Sequence, residues 1–177
     1  MIVADYAQCE AVTQAALRDL GKVDILINNA GIASRGNAVV DTDPAEMERV
    51  VRTHAFGSFN MSQLLVPQMR GQPRGDVIMI SSGAAVSLGA RGGPYNMAKA
   101  AMEALAQTLA KEERQHGIHV NVVGPGLVDT EMGRRLVRAT RGVQDIREID
   151  ATSPFGFVCQ PEDIADMVVS ARRAPAT

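Results

Sequence analysis

The stretch ISSGAAVSLGARGGPYNMAKAA, residues 80–101, decides how this chain is read. Tyr95 and Lys99 stand four residues apart, and Ser82 lies thirteen residues before the tyrosine. On a helix, positions i and i+4 share a face, so the spacing puts an ammonium beside a phenol. A free phenol, with a pKa of about 10, is a poor acid–base catalyst at neutral pH. Bringing it to about 7 requires on the order of 4 kcal/mol of preference for the phenolate. A neighbouring cation can supply much of that. A serine hydroxyl arriving from a strand end can then hold a substrate oxygen. Phenol, cation and hydroxyl together suit proton transfer at a carbonyl or alcohol oxygen. The same spacing also describes two ordinary surface neighbours on a helix, so the context decides.

Working outward, Val77-Ile78-Met79-Ile80 reads as a buried strand ending at Ser81-Ser82, and Tyr95 opens a helical pattern that runs to about His116 and stops at Gly117. Before it, Val23 to Asn28 is a strand nearly continuous in Ile and Leu, as expected of a parallel strand covered on both faces. After it, Ile118 to Val123 is another strand, broken by Pro125-Gly126. Near the start, Ile2-Val3-Ala4 reads as a short strand ending at Asp5. Val12, Ala15, Ala16 and Leu20 mark a helix from about Gln8, closed by Gly21. Asp43, Pro44 and Glu46 predict an N-cap, a first helical position and the acidic half of a capping box. The helix they open continues towards Met69, with a bend near Gly57. Pro161 starts a last short helix to about Ala171. Alternating strands and helices with apolar strands predict an α/β, doubly wound parallel sheet in a single domain spanning residues 1–177.

Three motifs share one order along the chain. They are Asn28-Asn29-Ala30-Gly31, the Ser82, Tyr95, Lys99 set, and Asn121 followed by Pro125-Gly126 and Thr130. Together they resemble the short-chain dehydrogenase/reductase family, over nearly the whole chain from Ile2 to about Val169. The resemblance implies a partial Rossmann-like fold, NAD or NADP as cofactor, and a small-molecule carbonyl or alcohol substrate, with a 3-oxoacyl-type reductase as one form. It implies Tyr95 as general acid/base, Lys99 as the residue that lowers its pKa and binds the nicotinamide ribose, and Ser82 as the group that polarises the carbonyl. It places Asp5 near the adenine amino group, and Asn28, Ala30 and Gly31 in the turn beneath the adenine ribose. Pro125, Gly126, Val128 and Thr130 match the segment along the nicotinamide. His54 stands where the family has an asparagine that holds a proton relay. An imidazole both donates and accepts, so it can replace that amide or simply pack at a helix bend. The arginine-rich segment Glu131 to Asp150 resembles a variable substrate lid, its arginines either solvated or set to meet an anion.

One part of the family pattern is missing. The Gly-rich TGxxxGxG turn that meets the dinucleotide diphosphate at a helix N-terminus is absent. The resemblance implies that the first two βα units and the last strand are lacking. It therefore predicts a truncated chain that binds the cofactor weakly, with Ile2–Ala4 left to shift, pair with another chain or stay loose. A non-catalytic remnant acting as an oligomerisation module is the competing reading. A nucleotide-sensing regulator is a third, and it leaves Ser82, Tyr95 and Lys99 without a purpose.

Composition narrows the classes. The chain has 177 residues and a net charge of −2, which offers no basic footprint for nucleic acid. No apolar run approaches the ~18 residues of a membrane span, and no charged leader precedes an apolar core. Cys9 and Cys159 are isolated, with no metal-ligand spacing and no disulfide framework, as in a cytoplasmic protein. The family implies a homodimer or homotetramer built on the two long helices.

Overall fold

The computed structural model describes residues 2–173. They fall into two compact units, one ending at Gly124 and one beginning at Pro125.

In the first unit Asp5 caps helix α1, Tyr6–Leu20, by accepting from the Gln8 N–H, and Gly21 closes that helix at φ +77°. Strand β1, Ile25–Asn28, follows. A loop then leads through a 3-10 turn, Val39–Asp41, to helix α2, Pro44–Val51. Asp43 caps α2 as the sequence predicts, but the reciprocal half of the capping box does not form. Glu46 is buried and turns away to accept the Arg35 N–H at 2.6 Å, tying the preceding loop to the helix. A five-residue π turn, Arg52–Phe56, joins α2 to α3, Gly57–Met69. The bend expected near Gly57 is thus a change of helical register just before that glycine.

Strand β2, Gly75–Ile80, leads through the short helix α4, Ala84–Ser87, to α5, Gly93–Glu113, and then to β3, Ile118–Val123. The sheet is parallel in the order β1-β2-β3, with Leu26 opposite Val77 and Val77 opposite Val120. Leu26, Val77 and Met79 project from one face of the sheet. They pack with Leu65, Val66 and Met69 of α3 and with Met102 and Ala106 of α5. Arg70 clamps Glu113 with two hydrogen bonds of 2.8 and 2.6 Å, joining the ends of α3 and α5. All three strands run in one direction, so their C-terminal ends gather at one edge, and there β2 delivers Ser81 and Ser82.

The strand expected at Ile2–Ala4 does not form. The segment is a turn, closed by the Asp5 N–H donating to the Ile2 carbonyl at 2.9 Å. It is not loose. The Val3 carbonyl accepts from Asn60 Nδ2 at 3.0 Å and from the Cys9 thiol, and the Val3 side chain fills the space beside Gly57. With no strand beside it, the Val3 carbonyl turns to side chains on α1 and α3. On the sheet itself, no described strand pairs with the second edge of β1.

The second unit holds α6, Glu131–Arg141, a 3-10 segment, Ile146–Thr152, and α7, Pro161–Arg173. Its core is Val137, Ile146, Ile149 and Val158. Of the arginines in this segment, Arg134 pairs with Asp129, Arg135 with Glu131, and Arg147 with Asp150 and Asp129. Most of this basic surface is therefore spent within the unit.

Candidate active site

Tyr95 sits in the first turn of α5, and Lys99 lies one turn further, on the same face. Lys99 is almost fully buried. Its ammonium donates to the Ile80 carbonyl, the last of β2, at 2.6 Å, and lies 5.6 Å from the centre of the Tyr95 ring. Burial pulls its pKa down to about 8, partly opposed by the Glu103 carboxylate one turn along. Glu103 is itself held by Ser81, whose hydroxyl donates to it at 2.6 Å. The sequence reading missed Glu103, although its i+4 spacing from Lys99 is a visible signal.

Ser82 follows β2 and hydrogen-bonds the Tyr95 phenol. Its Oγ also accepts from the Ala84 N–H at 3.2 Å. That occupies a lone pair and leaves the hydroxyl hydrogen to point elsewhere. Ser82, Tyr95 and Lys99 are thus brought together, as their spacing predicts. The titration differs from the prediction: Tyr95 is pushed above the ordinary phenol value. Burial dominates, and the Ser82 hydrogen bond only partly offsets it. The ammonium lies over the ring and is engaged by the Ile80 carbonyl, so it does not bring the phenol down. In this state Tyr95 is a protonated phenol at neutral pH.

His54, in the π turn, is buried against this group. Its ring meets the Tyr95 ring edge-on, with centroids 5.3 Å apart and planes at 88°. Nε2 faces both polar groups of Ile32, at 2.8 Å from the carbonyl and 3.1 Å from the N–H. Burial, reinforced by the Lys99 charge, lowers its pKa to about 4.

Asp5 is the exposed cap of α1, and its hydrogen bonds to Gln8 lower its pKa. Asn28 is buried, with Nδ2 at 3.4 Å from Ser62 Oγ and 3.3 Å from Met79 Sδ. Asn28 and Ala30 line a cleft of about 120 Å³ with Val3, Leu26, Gly57 and Met61. Gly31 lies against the His54 ring. Pro125, Gly126, Val128 and Thr130 belong to the second unit. There Val128 bridges to Cys159, and the Thr130 hydroxyl caps α6 by accepting the Gly133 N–H at 3.1 Å. No helix among the described residues is long and apolar enough to cross a membrane.

The buried imidazole makes acid sensitivity testable. Its folded pKa of about 4 lies below the ordinary 6.5. Between those values the unfolded chain binds a proton that the folded chain refuses. Stability should therefore fall as pH drops from about 6.5 to about 4, then lose no more from this group. The largest slope is about 1.4 kcal/mol per pH unit. His54→Asn should flatten the dependence in urea unfolding across that window, while the carboxylates contribute equally to both proteins. An unchanged slope would contradict the assignment.

Known proteins share both the sequence and the fold. The sequence profile described as short chain dehydrogenase matches residues 1–141. A 3α-hydroxysteroid dehydrogenase of Mediterraneibacter gnavus is 35% identical over 92% of this chain and 62% of its own length. A 3-oxoacyl-(acyl-carrier-protein) reductase of Thermotoga maritima is 30% identical over 94% of this chain and 65% of its own. The chain thus spans less than two thirds of the length of these relatives. The ligand-free aldohexose dehydrogenase of Thermoplasma acidophilum superposes with a TM-score of 0.87 at 24% identity, covering 94% of this chain and 67% of that one. That likeness speaks for the Rossmann-like fold alone. The profile spans most of the chain, and the chain belongs to the short chain dehydrogenase family.

Proposed function

We propose that this chain carries the proton-handling half of an NAD- or NADP-dependent oxidoreductase that interconverts a ketone and a secondary alcohol. The observation that carries the reading is buried Lys99 grouped with half-buried Ser82 and Tyr95 at the C-terminal end of β2. In reduction, the Tyr95 O–H donates its proton to the carbonyl oxygen while Ser82 orients that oxygen. Lys99 would turn from the Ile80 carbonyl towards the phenol oxygen to stabilise the phenolate left behind. Bound cofactor supplies or accepts the hydride at carbon. The 3-oxoacyl reductase among the relatives makes a 3-oxoacyl thioester the first substrate to try.

The residues described fit the nicotinamide end of the cofactor. Lys99 and Tyr95 suit a ribose and a nicotinamide. Among the described residues, the N-termini of α1, α2 and α6 are already capped by Asp5, Asp43 and Thr130, two of them anions, while α5, preceded by Gly92, has no side-chain cap. A diphosphate normally draws several charge-assisted hydrogen bonds from such a terminus, each worth about 1.5–3 kcal/mol.

We also propose self-association through α3 and α5 into a homodimer or homotetramer. Leu105 and Leu109 turn to the sheet. Phe59 and Met97 remain exposed on these helices, and Phe56 just before α3. A cytoplasmic location remains our expectation.

With NADH or NADPH supplied in large excess, Tyr95→Phe should lower kcat at least ~10²-fold and leave the calorimetric affinity for the dinucleotide almost unchanged. Activity within about threefold of the parent would exclude Tyr95 as the acid. Sedimentation equilibrium at micromolar concentration should return a dimer or tetramer, and a well-folded monomer would rule out the association surface.

A further inference from the structure

We propose that His54 is a positioning residue for Tyr95: a neutral imidazole, clamped on Ile32, that holds the phenol by ring contact in space left open by Gly31. The proposal deepens the reading of Tyr95 as the acid and rests on it for its consequence in turnover.

The π turn Arg52–Phe56 directs His54 inward, leaving it 1% exposed. A π turn inserts a residue into the helical register and commonly marks a site with a task. One ring nitrogen, Nε2, is occupied by the Ile32 backbone. The other, Nδ1, is buried with no hydrogen-bond partner. A charged imidazole carries two N–H donors and needs two acceptors. The site offers one, with the Lys99 ammonium acting on the same ring. The imidazole is therefore held neutral, and its contribution is shape. Its edge-on contact with the phenol is a favoured aromatic arrangement.

Gly31 is the second half of the device. A Cβ at position 31 would lie 2.5 Å from His54 Cε1 and 3.1 Å from Nδ1. Any side chain there must displace the ring. The glycine is thus explained by the histidine in contact with it. One coupling then runs from the turn after β1, through the imidazole, to the phenol.

The chain contains two tyrosines and no tryptophan, and Tyr6 is exposed. In a Tyr6→Phe background, phenolate absorbance and near-ultraviolet circular dichroism therefore report Tyr95 alone, without cofactor or turnover. The parent should titrate above the free-phenol value of about 10 and show a tyrosine dichroism band at neutral pH. His54→Ala and His54→Asn should both lower the titration midpoint towards about 10 and weaken the band, because neither presents a ring edge. Gly31→Ala should act in the same direction. Added to His54→Ala it should change nothing further, since the ring it strikes is gone.

Parent-like signals in His54→Asn would show that bonding to Ile32, not ring contact, is what matters, and would overturn the proposal. Additive effects of Gly31→Ala and His54→Ala would overturn the coupling. Far-ultraviolet dichroism checks folding. If His54→Ala unfolds, His54→Asn and Gly31→Ala carry the test. Unfolding of all three would make His54 a core residue and sink the positioning role. Intact tyrosine signals without turnover would instead fault the proposed reaction.

Discussion

The site is organised by one buried cation. Taking an ammonium out of water costs several kcal/mol after relaxation, and Lys99 is nearly inaccessible. That cost is met at the end of β2, where the Ile80 carbonyl has no further strand residue to bond and accepts from Nζ at 2.6 Å. Satisfying Lys99 fixes α5 against the strand end, and α5 then sets Tyr95 over the ammonium. Ser81 and Ser82 leave the strand in succession and divide the work. Ser81 secures Glu103, which supports the Lys99 charge, and Ser82 meets the phenol.

Burial also explains why the phenol resists ionisation here. An ammonium stabilises a phenolate most when it faces the oxygen, but this one lies over the ring and is bonded to a carbonyl. Desolvation then raises Tyr95 and lowers Lys99 together, as expected when a shared apolar site disfavours both charges. Such a site keeps the phenol protonated at neutral pH. His54 obeys the same rule in the neutral direction.

Much of this was legible from residue patterns. The strand ending at Ile80 carries a continuous apolar run, the strand from Ile118 to Val123 is apolar apart from His119 and Asn121, and the sheet places them side by side. The Tyr95–Lys99 face follows from helical spacing. What was not legible depended on partners distant in sequence. Ile2–Ala4 has the composition of a strand but no strand beside it, so Asn60 and Cys9 take its carbonyl. Glu46 has the spacing of a capping box, yet its buried carboxylate accepts instead from the Arg35 N–H of the preceding loop. Gly31 read as a glycine beside a ligand, whereas the contact visible here is the His54 ring, 23 positions on. The titration of Tyr95 depends on where an ammonium points, which spacing alone does not say.

The most direct test is the titration of Lys99 itself. Carbon-13 labelling at lysine Cε reports its ionisation by NMR. The chain has few lysines, and Lys99→Arg assigns the signal. A buried ammonium held by Ile80 should titrate near 8, well below the free-lysine value of about 10.4. A midpoint at the free-lysine value would mean that Lys99 is solvated, and the account of the site built on its burial would be wrong.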